Sequence, residues 1–165
     1  MIVLPDQSKK AAEYTPENGS FDTSFYYSPS SVYEKIDAYG DDGRTAYIIN
    51  RWTFDLIFPL VYGLFIFSAV SFSVKRFQGE ILSSWLWVLV APMAVFFDLM
   101  ENTFVSLAMG FYPHQYMIFA YLASISTVLK WVFVNTGMVL AVVFPVLVGI
   151  SRLIDFRNKL KRVKG

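Results

Sequence analysis

Six polar residues stand inside, or at the edge of, otherwise apolar tracts: Arg51, Asp55, Asp98, Glu101, Asn102 and Lys130. Asp98, Glu101 and Asn102 are spaced i, i+3, i+4, which puts two carboxylates and an amide on one helical face. Arg51 and Asp55 pair opposite charges at i, i+4, and Lys130 is the only charge in residues 115–150. Ionisable groups in a low-dielectric setting need partners. Carboxylates gathered there bind a counter-ion or share a proton. The set therefore fits a site for a cation, a proton or a small polar ligand, with Asp55, Asp98 and Glu101 as candidate metal ligands. Two other uses of the same residues stay open. One is a polar network that only pairs charges and sets helix register. The other is an enzyme acting on lipid head groups, with Mg²⁺ on the carboxylates and a phosphate on Arg51 or Lys130. No catalytic residue is assigned, because the chain has one histidine, His114, no cysteine and no Gly-rich phosphate loop.

The composition says what surrounds these residues. Of 165 residues, 55% are hydrophobic, 18% aromatic and only 16% charged. A soluble chain of this size has too little interior to hide so much apolar surface, so an all-α integral membrane protein is expected. The absence of cysteine excludes disulfides, thiolate chemistry and Cys-ligated metals.

Three uncharged tracts, residues 56–74, 81–97 and 131–150, are each long enough to cross a bilayer or nearly so. The spacing predicts helices over about 44–75, 80–111 and 115–151, with kinks at Pro59, Pro92 and Pro145. Ahead of them, residues 5–27 read as irregular chain anchored by Phe21, Phe25, Tyr26 and Tyr27. Ser28-Pro29 and a capping box of Ser31 with Glu34 predict a short amphipathic helix over 29–39. Asp41-Asp42-Gly43 then reads as a turn. Ala120, Ala123, Ser124 and Thr127, and Gly137 with Ala141, form stripes of small residues that mark close helix approach. Trp52, Trp85, Trp87 and Trp131 read as an aromatic belt at the membrane interfaces.

Charge bias decides between three spans and a four-span alternative, in which residues 115–150 cross twice by turning at Asn135-Thr136-Gly137. Residues 1–44 carry eight acids against four bases, whereas residues 152–165 carry six bases against Asp155. Three spans put residues 1–43 outside the cell and both the Lys75-Arg76 loop and the basic tail in the cytoplasm, as the positive-inside rule asks. Residues 103–129 then form a helical hairpin that projects outward or lies partly in the membrane. Asp55, Asp98, Glu101 and Lys130 fall 18 to 22 residues from Lys75, Glu80 and Arg152, the charged ends of their helices. At 1.5 Å per residue they share one layer roughly 27–33 Å from the cytoplasmic side.

The order Gly43-Arg44 with Tyr47, Arg51, Asp55 and Pro59, Asp98 with Glu101 and Asn102, and later Lys130 resembles that of small polytopic prokaryotic membrane proteins. That resemblance implies a membrane address and no activity. A plasma or inner membrane location and membrane lipids as partners are expected, with a homo-oligomer or a larger membrane complex left open. The basic tail reads as an orientation signal, and no nucleic acid is expected. The competing functional reading is a non-catalytic accessory subunit that docks through exposed aromatics and small-residue stripes.

Overall fold

A computed structural model describes residues 21, 24–53, 55–75 and 85–164, and its regular elements are all helices. Helix α1 (Pro29–Ala38) opens where Ser28 Oγ accepts the Ser31 N–H at 3.2 Å, and Pro29 takes the first helical position, where no N–H is needed. Ser31 lies inside the helix and sends its hydroxyl to the Ser28 carbonyl at 2.9 Å, so it is not the cap of a Ser31–Glu34 box. The chain reverses at Gly40, whose φ of +63° is open to glycine and strained for other residues. Helix α2 (Gly40–Arg51) begins there, so Asp41-Asp42-Gly43 is its first turn and not a loop. Two carboxylates at the positive end of the helix dipole favour that start.

The expected continuous helix over 44–75 is broken in two. Beyond Arg51 the N–H groups of Thr53 and Asp55 both turn back to the Asn50 carbonyl, at 3.3 and 3.1 Å, before helix α3 (Ile57–Val74) restarts the chain. Pro59 explains the break. In one long helix it would remove a hydrogen bond and clash with the carbonyl four residues back, at a cost of about 3 kcal/mol or more. The restart puts it in the first turn of α3, where N–H groups lack intrahelical partners anyway. Pro92 has the same place in helix α4 (Val90–Gly110), which follows a 3₁₀ turn, Trp85–Leu89. Of the three expected kinks, only Pro145 sits deep in a helix, α5 (Met117–Lys164).

Helix α5 runs 48 residues, about 72 Å, with Asn135-Thr136-Gly137 in its unbroken middle. That continuity removes the four-span alternative. Among the described residues, Ile57–Val74, Trp85–Gly110 and Met117–Arg162 are the three helices long and apolar enough to cross a membrane. Since a hydrocarbon core is only about 30 Å thick, α5 reaches well beyond it. The hairpin expected in residues 103–129 is the end of α4 and the start of α5, packed together and joined by residues 111–116. Arg76 and the expected helix start at Glu80 lie outside the described residues, as do residues 1–20.

Two apolar cores divide the molecule. In one, Ile66 and Val70 of α3 meet Ala91 of α4 and Phe144 of α5, while Phe58, Leu64, Phe65, Val139 and Val142 face outward. The other is built by Phe21 and residues 24–47 folding over the hairpin. Phe21, Tyr27, Val32 and Ile36 are buried there against Val105 and Ala108 of α4 and Ala120 and Ala123 of α5. The acids Glu34 and Asp37 stay outside, so α1 is amphipathic and packs its apolar face on the bundle.

Both small-residue stripes are consumed inside the chain. Ala120, Ala123, Ser124 and Thr127 are buried under the N-terminal cap and α4, and Gly137 lets α5 approach α3. A Cβ on Gly137 would stand 2.8 and 2.9 Å from Ile66 Cδ1 and Cγ2. Gly137→Ala should therefore cost about 1–3 kcal/mol by overpacking, despite alanine's better helix propensity. Adding Ile66→Val should recover part of the loss in detergent unfolding, and a neutral Gly137→Ala would mean that the helices part freely.

Candidate functional site

Between the two cores lies a layer of polar side chains. Glu101 is its most deeply placed acid, 3% exposed, on the face of α4 turned to α5. One turn of α5 meets it with two groups: Lys130, itself 6% exposed, forms an ion pair with Glu101 Oε2, and Thr127 Oγ1 lies 2.6 Å from Oε1. Tyr27, from the N-terminal cap, donates to the same Oε1 at 3.2 Å. Thr127 has a single proton and also approaches the Tyr27 oxygen and the Ala123 carbonyl. The carboxylate is the stronger acceptor. Burial holds the Tyr27 phenol above its ordinary value, with the Glu101 charge acting the same way, so it stays a donor.

A second pair occupies the break between α2 and α3. Arg51, 6% exposed, directs Nε and Nη2 to the Tyr47 hydroxyl at 3.0 and 2.6 Å and faces Asp55 at 3.6 Å. Asn50 Nδ2 donates to the same Asp55 oxygen at 3.0 Å. Burial lowers the Arg51 value, and the carboxylates of Asp55, Glu101 and Asp98 oppose it; a guanidinium stays charged throughout. Burial raises the Asp55 carboxyl, against the pull of Arg51 and Asn50. The helix break has a consequence for this pair. Asp55 sits in a turn and not on a helical face, and its carboxylate meets Arg51 from there.

Asp98 is different. Its Oδ2 accepts the Tyr62 hydroxyl at 2.8 Å, and among the described residues no basic group forms an ion pair with it. Arg51, Asp55, Asp98 and Lys130, together with Phe58, Tyr62 and Trp131, line one cleft of about 370 Å³ where α3, α4 and α5 converge. Of the six residues that the sequence singles out, the cleft wall thus contains four. Glu101, paired with Lys130, and Asn102, 1% exposed, are not part of the wall, and Asn102 Nδ2 is without a hydrogen-bond partner among the described residues.

The candidate metal set does not form. Among the described residues no three carboxylate or imidazole groups converge on one point, so Asp55, Asp98 and Glu101 are not a ligand set for one ion. The reason is visible in their partners: Lys130 takes Glu101, Arg51 and Asn50 take Asp55, and Tyr62 takes Asp98.

No family model, curated protein or solved structure matches the chain. What the layer does must therefore be argued from its own chemistry. Three of its members have roles that periodicity alone could not assign. Tyr27 read as an anchoring aromatic and Thr127 as one of a small-residue stripe, yet both serve Glu101. Trp131, expected in an interfacial belt, donates its indole N–H to the Ser24 carbonyl at 3.0 Å and packs against Phe25, 4.6 Å between ring centres, while also walling the cleft. Trp52 likewise ties the break to α4, donating to Ser106 Oγ at 3.1 Å.

Proposed function

We propose that this is a multi-pass protein of the cell membrane that binds a small cation, or takes up a proton, in the cleft at Asp98. The observation that carries this reading is the pairing within the layer. Arg51 faces Asp55 and Lys130 faces Glu101, which leaves Asp98 with a neutral hydroxyl as its partner. A carboxylate that has no ion-pair partner beside an apolar core is costly, and a cation or a proton removes that cost.

Two features support an outward-facing cleft. The acid-bearing N-terminal cap packs at the hairpin end of the three helices, and the basic residues from Arg152 onward sit at the far end of α5. By the positive-inside rule the tail is cytoplasmic and the cap and cleft extracytoplasmic. The outward aromatic and aliphatic side chains of α3 and α5 fit contact with lipid. Accessory docking through small-residue stripes has less to stand on, because those stripes are buried inside the chain.

The test compares Asp98→Asn with Asp55→Asn in thermal unfolding of the detergent-purified protein, scanned over pH and over inorganic and organic cations. Asp98→Asn should raise stability in the absence of cations and abolish their effect, whereas Asp55→Asn, which strips a partner from Arg51, should lower it. If Asp98→Asn responds to pH and to every cation as the parent does, the reading is wrong.

A further inference from the structure

The cleft carries more information than its charge. We infer that its occupant is an organic ammonium group and not a bare metal ion, an assignment that rests on the cation reading of Asp98. Three independent features of the wall point this way. First, a dehydrated metal ion needs several oxygen ligands at once, and the cleft offers it no such set, since the two other acids of the layer are already paired with bases. Second, a single carboxylate is what one ammonium requires: one charge, with N–H donors directed to its oxygens. Asp98 already accepts from Tyr62 on Oδ2, and a carboxylate has capacity for further donors.

Third, the size and the rest of the lining suit an alkyl-substituted cation. A water or a bare ion takes up about 30 Å³ or less, whereas the cleft offers about 370 Å³, within the range of small-molecule sites. Phe58, Tyr62 and Trp131 supply aromatic surface, and Pro59 and Val134 aliphatic surface. Ring faces attract a weakly hydrated alkylammonium, while Na⁺ or Mg²⁺ keeps its water. The protein already uses such contacts internally. Lys130 Nζ lies 5.3 Å from the Trp131 ring and the Arg51 guanidinium 4.7 Å from the Tyr47 ring, so cations beside aromatic rings are the local idiom of this layer. Phe58 is 67% exposed on the outer face of α3, so one rim of the cleft is apolar and open to the side. An ammonium can therefore come from a free amine in water or from the head group of an aminolipid, and both present the same chemistry to Asp98.

The experiment titrates the full-length protein in a nonionic detergent with tetramethylammonium, choline and ethanolammonium, against Na⁺, K⁺ and Mg²⁺ at equal ionic strength, and follows thermal unfolding and heat of binding. Choline or ethanolammonium should bind saturably while the metal ions act only through ionic strength. Asp98→Asn should weaken that binding about tenfold or more. Phe58→Leu, a change at an exposed position that leaves the fold intact, should weaken it about threefold or more by removing one ring. Nanodiscs separate the two sources. If free choline binds in phosphatidylglycerol discs and is displaced in phosphatidylethanolamine discs, the natural ligand is the lipid; equal binding in both points to a free amine. Metal ions or protons that stabilise the parent but not Asp98→Asn, with every ammonium inert, would overturn the ammonium assignment and leave the cation site standing. Inert ammonium together with an Asp98→Asn variant that titrates like the parent would overturn both.

Discussion

Lys130→Met should cost about 3–5 kcal/mol of stability. The ammonium is 6% exposed and its partner Glu101 3%, so removing it strands a buried carboxylate without its counter-charge. Met has similar length and no polar group, so little of the loss comes from packing. The loss should be almost wholly reversible. In Lys130→Met with Glu101→Gln, the amide oxygen still accepts from Thr127 and Tyr27 while no charge is left unpaired, and most of the stability should return. Detergent unfolding of the parent, both single variants and the double variant closes the cycle. Simple addition of the two single losses would show that the ion pair is not coupled.

That pair also shows how far the sequence alone reached. Lys130 stands out as the only charge in residues 115–150, and Glu101 shares a helical face with Asp98; the distances in sequence from the helix ends place both at one depth. Those signals are periodic and additive along the chain, which is why the three spans and the layer could be read. The span count followed from charge bias, and the continuity of α5 agrees with it. What could not be read depended on competition between neighbours. Pro59 looked like a kink in a long helix, because nothing in its own spacing says that the chain lowers the cost further by stopping at Arg51 and starting again. Likewise Asp55, Asp98 and Glu101 looked like one ligand set because depth places them together, whereas rotation about the helix axes and the choice of base decide which acid stays unpaired. A partner drawn from a segment without periodicity, such as Tyr27, leaves no trace in spacing at all.

The second large effect concerns that same aperiodic segment. Phe21→Ala should cost about 3–5 kcal/mol, and the loss should be confined to the N-terminal cap. Phe21 is fully buried, edge-on to Tyr27 at 5.2 Å and stacked near Tyr39 at 6.3 Å, with the Lys35 ammonium 5.4 Å from its ring. It is thus the residue on which the aromatic packing of residues 24–47 converges. Alanine leaves a cavity that small rearrangements cannot fill, because Val32 and Ile36 beside it are already buried on α1. The apolar core of α3, α4 and α5 lies elsewhere and shares no residue with the cap, so hydrogen exchange should accelerate through α1 and α2 while the amides of α3 and the second half of α5 keep their protection. Loosening the cap should also reach the cleft by two routes. Tyr27 withdraws its hydroxyl from Glu101, and α2 carries Arg51 and its Tyr47 partner. Cation stabilisation should therefore weaken in Phe21→Ala even though the residue touches no part of the cleft wall. Uniformly faster exchange across all five helices would instead mean that cap and bundle unfold as one unit, with the polar layer joining the two cores and not dividing them.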